Sequence, residues 1–171
     1  EADLKQRGVD PETTAGIILE SIPGFSATPY PQEYIDELRH WAQEQGVLVA
    51  VDEVQTGIGR VGALFGYERF GVEPDIMTLG KGVGGGLAVG VMCARASVAQ
   101  LYDAAKQGAV KHASTLGGNC LAMAVSATVF DVLQREQLRY GTVELFYCEA
   151  VLRLFAGDVN LQQDPRDRTG L

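Results

Sequence analysis

Three residues stand where short apolar runs give way to polar or glycine-rich chain. Glu20 follows Ala15–Leu19, Asp52 follows Val47–Val51, and Lys81 lies just past Asp75–Leu79. If these runs are neighbouring parallel strands, two carboxylates and one primary amine converge at one edge of a sheet, which is where open parallel sheets bind ligands. A lysine amine can hold an aldehyde cofactor as an imine. A cofactor of the pyridoxal phosphate type, held in that way, acts as an electron sink for the carbanion made from an amino acid. The sink works best with the pyridine nitrogen protonated, and a buried carboxylate such as Asp52 secures that by pairing with the ring. Gln55, just beyond, can hydrogen-bond the ring hydroxyl, and the glycines around Lys81 let a flat ring approach the backbone.

Each of these residues also has a plainer reading. An aspartate at a strand end is often a helix cap or turn former. A lone lysine is often a solvated loop residue, and glycine runs are often just loops. Two segments, Gly57-Ile58-Gly59-Arg60-Val61-Gly62 and Gly80-Lys81-Gly82-Val83-Gly84-Gly85, match the dinucleotide pattern G-x-G-x-x-G. That motif must follow a strand directly and open a helix. The first follows Asp52-Glu53, whose charges oppose a pyrophosphate, and the second leads into another apolar run. Gly80-Lys81 is not a P-loop either, because Gly82 stands where a serine or threonine should hold magnesium.

The elements that must position these groups are legible in the hydrophobic pattern. Residues 15–20 read as a strand buried on both faces. A Pro/Gly/Ser-rich loop follows. Tyr34, Ile35, Leu38, Trp41 and Ala42 then recur at helical spacing, with Pro31 in a tolerated first-turn position and Gly46 as the stop. Val47–Val51 is the next buried strand, so residues 16–52 form a strand–helix–strand unit, which predicts a parallel sheet. A short helix or turn is expected in 61–71, a third strand at Asp75–Leu79 and a fourth at Leu87–Ala94. Helices are predicted at Ser97–Gln107, from about Asn119 to Leu138, and at Glu144–Phe155.

Composition narrows the function classes. The chain has 171 residues, 46% of them apolar, enough for one domain or part of one. Its formal net charge of −8 argues against nucleic acid and against anionic membrane surfaces. The three cysteines, Cys93, Cys120 and Cys148, have no metal-binding spacing and fit reduced thiols in a cytoplasmic protein. No run approaches the ~20 apolar residues of a membrane span, and no secretory signal is visible. The chain opens Glu-Ala-Asp, without a starting methionine, and enters an apolar strand almost at once. The expectation is that upstream sequence has been lost.

The segment Asp52-Glu53-Val54-Gln55-Thr56-Gly57-Ile58-Gly59-Arg60-Val61-Gly62 resembles the D-E-V-Q-T-G-x-G-R-x-G block of class III aminotransferases. Gly71-Val72-Glu73-Pro74-Asp75-Ile76, followed by Thr78-Leu79-Gly80-Lys81-Gly82, resembles the next block of that family, which ends in the imine lysine. His112-Ala113-Ser114-Thr115-Leu116-Gly117-Gly118-Asn119 resembles the third. The resemblance spans about residues 12–138. It implies an α/β fold, the large domain of a fold-type-I pyridoxal-phosphate-dependent transferase, with a mainly parallel sheet, flanking helices and an incomplete chain. Residues 1–138 would be the C-terminal part of that domain, and 139–171 the start of a small C-terminal domain or a divergent tail.

By the same resemblance Lys81 is the imine lysine and proton-moving base, Asp52 the pyridinium partner, and Gln55 the partner of the ring hydroxyl. Val54 packs on one ring face. Ser114 and Thr115 contact the cofactor phosphate of the neighbouring subunit, which implies a homodimer. Arg60 and His112 take structural roles, and Glu20 lies on the substrate side. The implied reaction moves an amino group from a donor such as acetylornithine or ornithine to a 2-oxo acid such as 2-oxoglutarate. An aminomutase or decarboxylase on the same scaffold, and a non-catalytic fragment or pseudoenzyme, are the alternatives. One departure stands out. The family usually reads E-P-x-Q-G-E after the first strand, whereas here Glu20-Ser21-Ile22-Pro23-Gly24-Phe25 puts Phe25 in place of the second glutamate.

Overall fold

The structure is a computed structural model that describes residues 6–110 and 112–136. Four strands form one sheet in the order β1-β2-β3-β4: β1 (Gly16–Glu20), β2 (Leu48–Asp52), β3 (Ile76–Leu79) and β4 (Val91–Ala94). The first three are parallel, with Glu20 opposite Asp52 and Asp52 opposite Thr78. Because side chains in register point to the same face of a sheet, these three share a face at the carboxyl ends of their strands.

Helix α1 (Gln32–Gln45) crosses from β1 to β2 and ends where Gly46 turns left-handed at φ 66°, its N–H closing onto the carbonyls of Ala42 and Gln43. Gly46 suits that position because it has no Cβ to clash. The buried stripe of α1 (Ile35, Trp41, Ala42) packs on Val49 and Val51, with Val47 and Val72 completing the cluster. Burying each large side chain of such a cluster contributes about 1.5–3 kcal/mol. A short helix α2 (Tyr67–Phe70) precedes β3, as the sequence predicts for 61–71.

β1 departs from the expectation of burial on both faces. Ile17 and Leu19 pack on the α1 cluster, but Ile18 is 68% exposed on the opposite face. The fourth strand begins at Val91 rather than Leu87 and runs antiparallel to β3. The connection from Leu79 to Val91 is too short for a crossover helix, and only such a crossover returns the chain parallel. Instead a 3-10 turn (Lys81–Gly84) and positive-φ residues Gly85 and Gly86 reverse it, with Leu87 N–H donating to the Gly84 carbonyl.

The helix expected over 97–107 is broken into α3 (Ala96–Ala99), a 3-10 turn (Gln100–Tyr102) and α4 (Ala104–Gln107). Asp103 breaks it: its backbone is extended and its side chain caps α4 by accepting from Ala105 N–H. Helix α5 (Cys120–Arg135) matches its prediction closely and is capped by Asn119, which accepts from Ala122 N–H at 3.0 Å. Val129, Phe130 and Leu133 of α5 pack on the second buried cluster, Ile58, Met77, Leu79 and Val83. The expected helix at 144–155 and the segment 139–171 lie outside the described residues.

Candidate active site

The amine of Lys81 donates to the Gln55 side-chain oxygen, so two residues 26 apart in sequence meet at the mouth of the sheet. Lys81 reaches this position through an unusual backbone. Its φ of 47° is left-handed, a conformation that costs a non-glycine residue about 1–3 kcal/mol and is found mostly where surrounding structure enforces it. The side chain leaves from the first residue of a 3-10 turn and is exposed.

Asp52 ends β2 and is partly buried. Its Oδ1 accepts from Val54 N–H at 2.9 Å, which fixes the carboxylate over the next turn. Val54 and Gln55 lie in that turn and are likewise partly exposed. A Cβ on Gly80 would sit 3.3 Å from one Val54 methyl and 3.4 Å from the other, so the valine rests against the backbone just before Lys81. Glu20, at the end of β1, accepts from Gly24 N–H at 2.8 Å, and Gly24 also neighbours the Gln55 side chain. Glu20, Asp52, Val54, Gln55 and Lys81 thus lie at or just past the carboxyl ends of three neighbouring parallel strands. Phe25, 94% exposed, lies in the loop after β1.

Ser114 and Thr115 lie in the chain between α4 and α5. Both are exposed, and Ser114 lines a separate cleft of about 360 Å³ with Leu87–Gly90 and the start of α5. Among the described residues neither makes a hydrogen bond to the Lys81 group. Arg60 and His112, expected to form ion pairs or hydrogen bonds, form none among the described residues. Arg60 lies against Gly82, its guanidinium 3.7 Å from where a Cβ would stand.

The geometry holds two groups that sequence reading passed over. Thr78, in register with Asp52, has a buried hydroxyl with no hydrogen-bond partner among the described residues. Glu53, read only as a negative charge, is 1% exposed. Both sit next to residues that were singled out, but hydropathy patterning gives no sign of either role.

Residues 2–146 match the family model for aminotransferase class-III. The chain belongs to the class III aminotransferase family. Among curated relatives, the acetylornithine aminotransferase of Gloeobacter violaceus is 42% identical over 128 residues, covering 74% of this chain and 30% of that protein. That of Brucella melitensis is 44% identical over 126 residues, covering 73% of this chain and 30% of that protein. The chain therefore spans about a third of the length of the curated relatives it matches.

Solved transaminase structures superpose well. An S-selective transaminase from Arthrobacter sp. gives a TM-score of 0.72 at 33% identity, covering 91% of this chain and 33% of that one. The ornithine aminotransferase from Toxoplasma gondii, whose structure shows partial occupancy of PLP at the protein active site, gives 0.68 at 32% identity over 80% of this chain and 31% of that one. The mixed α/β sheet with flanking helices is thus a transaminase fold in part. No helix among the described residues is long and apolar enough to cross a membrane.

Proposed function

We propose that this chain carries the cofactor-holding part of a pyridoxal-phosphate-dependent aminotransferase. In this reading the whole protein moves an amino group from an amino acid such as acetylornithine or ornithine to a 2-oxo acid such as 2-oxoglutarate. The observation that carries the proposal is the meeting of the Lys81 amine and Gln55 beside Asp52 at three parallel strand ends. The names of the curated relatives support the choice of donor.

The residues present fit pyridoxal phosphate. An exposed primary amine, a carboxylate and an amide lie at neighbouring strand ends, and the glycine before the lysine lets Val54 rest against the backbone, since a Cβ there would meet its methyls. When bound, the cofactor supplies an aldehyde for covalent attachment and an electron-withdrawing ring that takes up the electron pair left at the substrate Cα. Lys81 would hold the cofactor aldehyde through Nζ, and the same amine, when not engaged there, would hold or move a proton. Asp52, its Oδ1 already fixed by Val54 N–H, pairs with the ring nitrogen. Gln55 orients the ring hydroxyl, Val54 packs on the ring face, and Glu20 lies toward the substrate.

The proposal extends to the rest of the block pattern. Ser114 and Thr115, both exposed, are read as contacts to the phosphate held by a neighbouring subunit, in a cytoplasmic homodimer. Residues 1–138 are read as the cofactor-binding domain and 139–171 as the start of a small C-terminal domain or a divergent tail.

The test is to incubate the purified chain with pyridoxal phosphate, reduce with borohydride, digest and map the modified lysine by mass spectrometry. A pyridoxyl group on Lys81 is expected, and Lys81→Ala should remove it without raising label elsewhere. Folded chain labelled at scattered lysines, or unlabelled, would defeat the proposal for these residues. In the whole protein, pyruvate- or 2-oxoglutarate-dependent loss of donor distinguishes amino transfer from a mutase, which needs no 2-oxo acid, and from a decarboxylase, which releases CO2.

A further inference from the structure

The turn after Asp52 has little regular structure to hold it. Residues 54–60 form successive turns, with Ile58 at φ 62° and Gly59 at φ 81°, so strand pairing does not dictate its path. Yet Val54 and Gln55 must be held in place there if they are to face Lys81. At its root lies Glu53, 1% exposed.

Its Oε1 accepts from Ser21 Oγ at 2.5 Å and from Tyr67 N–H at 2.7 Å. Its Oε2 accepts from Thr56 Oγ at 2.6 Å and from Gly66 N–H at 2.8 Å. Two further backbone bonds fix its main chain, Glu53 N–H to the Thr78 carbonyl at 2.9 Å and Gly57 N–H to the Glu53 carbonyl at 2.8 Å. One buried side chain thus ties together the residue after Glu20, the turn carrying Gln55, and the start of α2.

All four hydrogen-bond partners are neutral donors. A buried carboxylate without a bonded cation is costly unless every lone pair is used, and here each oxygen accepts twice. An apolar side chain of the same size would fill the volume but leave these four donors without an acceptor and specify no path for the turn. An amide of the same length would offer one accepting oxygen and turn its NH2 toward two donors. The four contacts therefore select a carboxylate for geometry rather than for packing.

We propose that Glu53 is a positioning residue of the cofactor site, a buried carboxylate clamp that sets the 54–58 turn so that Gln55 meets the Lys81 amine. It does not touch the cofactor itself, and the inference rests on the pyridoxal-phosphate reading above.

The test compares wild-type chain with Glu53→Gln by circular dichroism, by the pyridoxal phosphate concentration giving half-maximal borohydride-fixed label at Lys81, by the pH titration of the visible absorption of the bound cofactor, and by hydrogen exchange without cofactor. In Glu53→Gln that concentration should rise by about tenfold, the absorption titration should shift, and amides 54–58 should exchange about tenfold faster, as expected for losing a buried hydrogen-bonded group. Exchange in β2 and β3 should stay slow. A folded Glu53→Gln chain with wild-type labelling, titration and exchange overturns the proposal, as does a lowered melting temperature with those readouts unchanged.

If Glu53→Gln does not fold, the double variant Ser21→Ala/Thr56→Val keeps the carboxylate and removes two of its four donors. The same shifts, several-fold in size, are then expected, and wild-type behaviour overturns the proposal. If wild-type chain takes no label at Lys81, the cofactor reading fails separately. Exchange at 54–58 in the variants then decides the clamp, and unchanged exchange sinks it.

Discussion

At the scale of single residues, the site is held by backbone as much as by side chains. Lys81 occupies a left-handed conformation, and Gly80 before it lies against Val54. A methyl group added at Gly80 would stand 3.3 Å from Val54, closer than a comfortable contact, and Val54 would have to move off the position where it flanks the crevice. Gly80→Ala is therefore expected to weaken pyridoxal phosphate binding about tenfold while lowering stability by about 1 kcal/mol, since overpacking of this size is locally absorbed. Titration of the cofactor followed by its visible absorption, set beside a denaturant melt, separates the two effects. Equal affinity in the variant would mean that Val54 does not contact the ring.

At the scale of elements, α1 covers one face of the β1–β2 pair, and Trp41 is the largest side chain in that contact, 7% exposed among Ile35, Val47, Val49 and Val51. Trp41→Ala removes most of the bridge and is expected to cost about 3–5 kcal/mol, the usual range for a buried tryptophan. Urea unfolding followed by circular dichroism measures this. A cost below about 1 kcal/mol would show that α1 is not what holds the two strand ends carrying Glu20 and Asp52. The parallel strands and both long helices were legible in the sequence, because continuous apolar runs and 3.6-residue spacing are direct images of burial. The start of β4 and the break at Asp103 were not. An apolar run from Leu87 looks like a strand until positive-φ glycines 85 and 86 turn it, and Asp103 looks like any helical polar residue until its side chain accepts from Ala105 N–H.

At the scale of the whole molecule, charge and burial set the response to pH. Tyr30 is held above the usual tyrosine value of 10.0 chiefly by partial burial and then by neighbouring Tyr34 and Glu20. Tyr67 is raised likewise, first by burial and then by Glu68, Glu53 and Glu73. The folded chain therefore keeps these protons more tightly than the unfolded one. Their contribution to stability is intact below pH 10.0 and is lost as pH rises through the folded values. In an ultraviolet titration of the six tyrosines, Tyr30 and Tyr67, identified by their Phe variants, should ionise above their unfolded value, and unfolding in denaturant should return them to it. All six ionising together in the folded chain would remove this account.

What the sequence by itself determined is the family, the strand–helix–strand order and the carboxylate and amine at the strand ends, because residue type, local periodicity and block order are properties of the chain. What only the tertiary structure decided is which groups meet. Register put Glu20, Asp52 and Thr78 in one row, and a left-handed lysine brought its amine to Gln55. Four donors from three separate segments closed on Glu53. Contacts between residues 13 to 32 positions apart depend on how the chain returns on itself, and no local pattern encodes them.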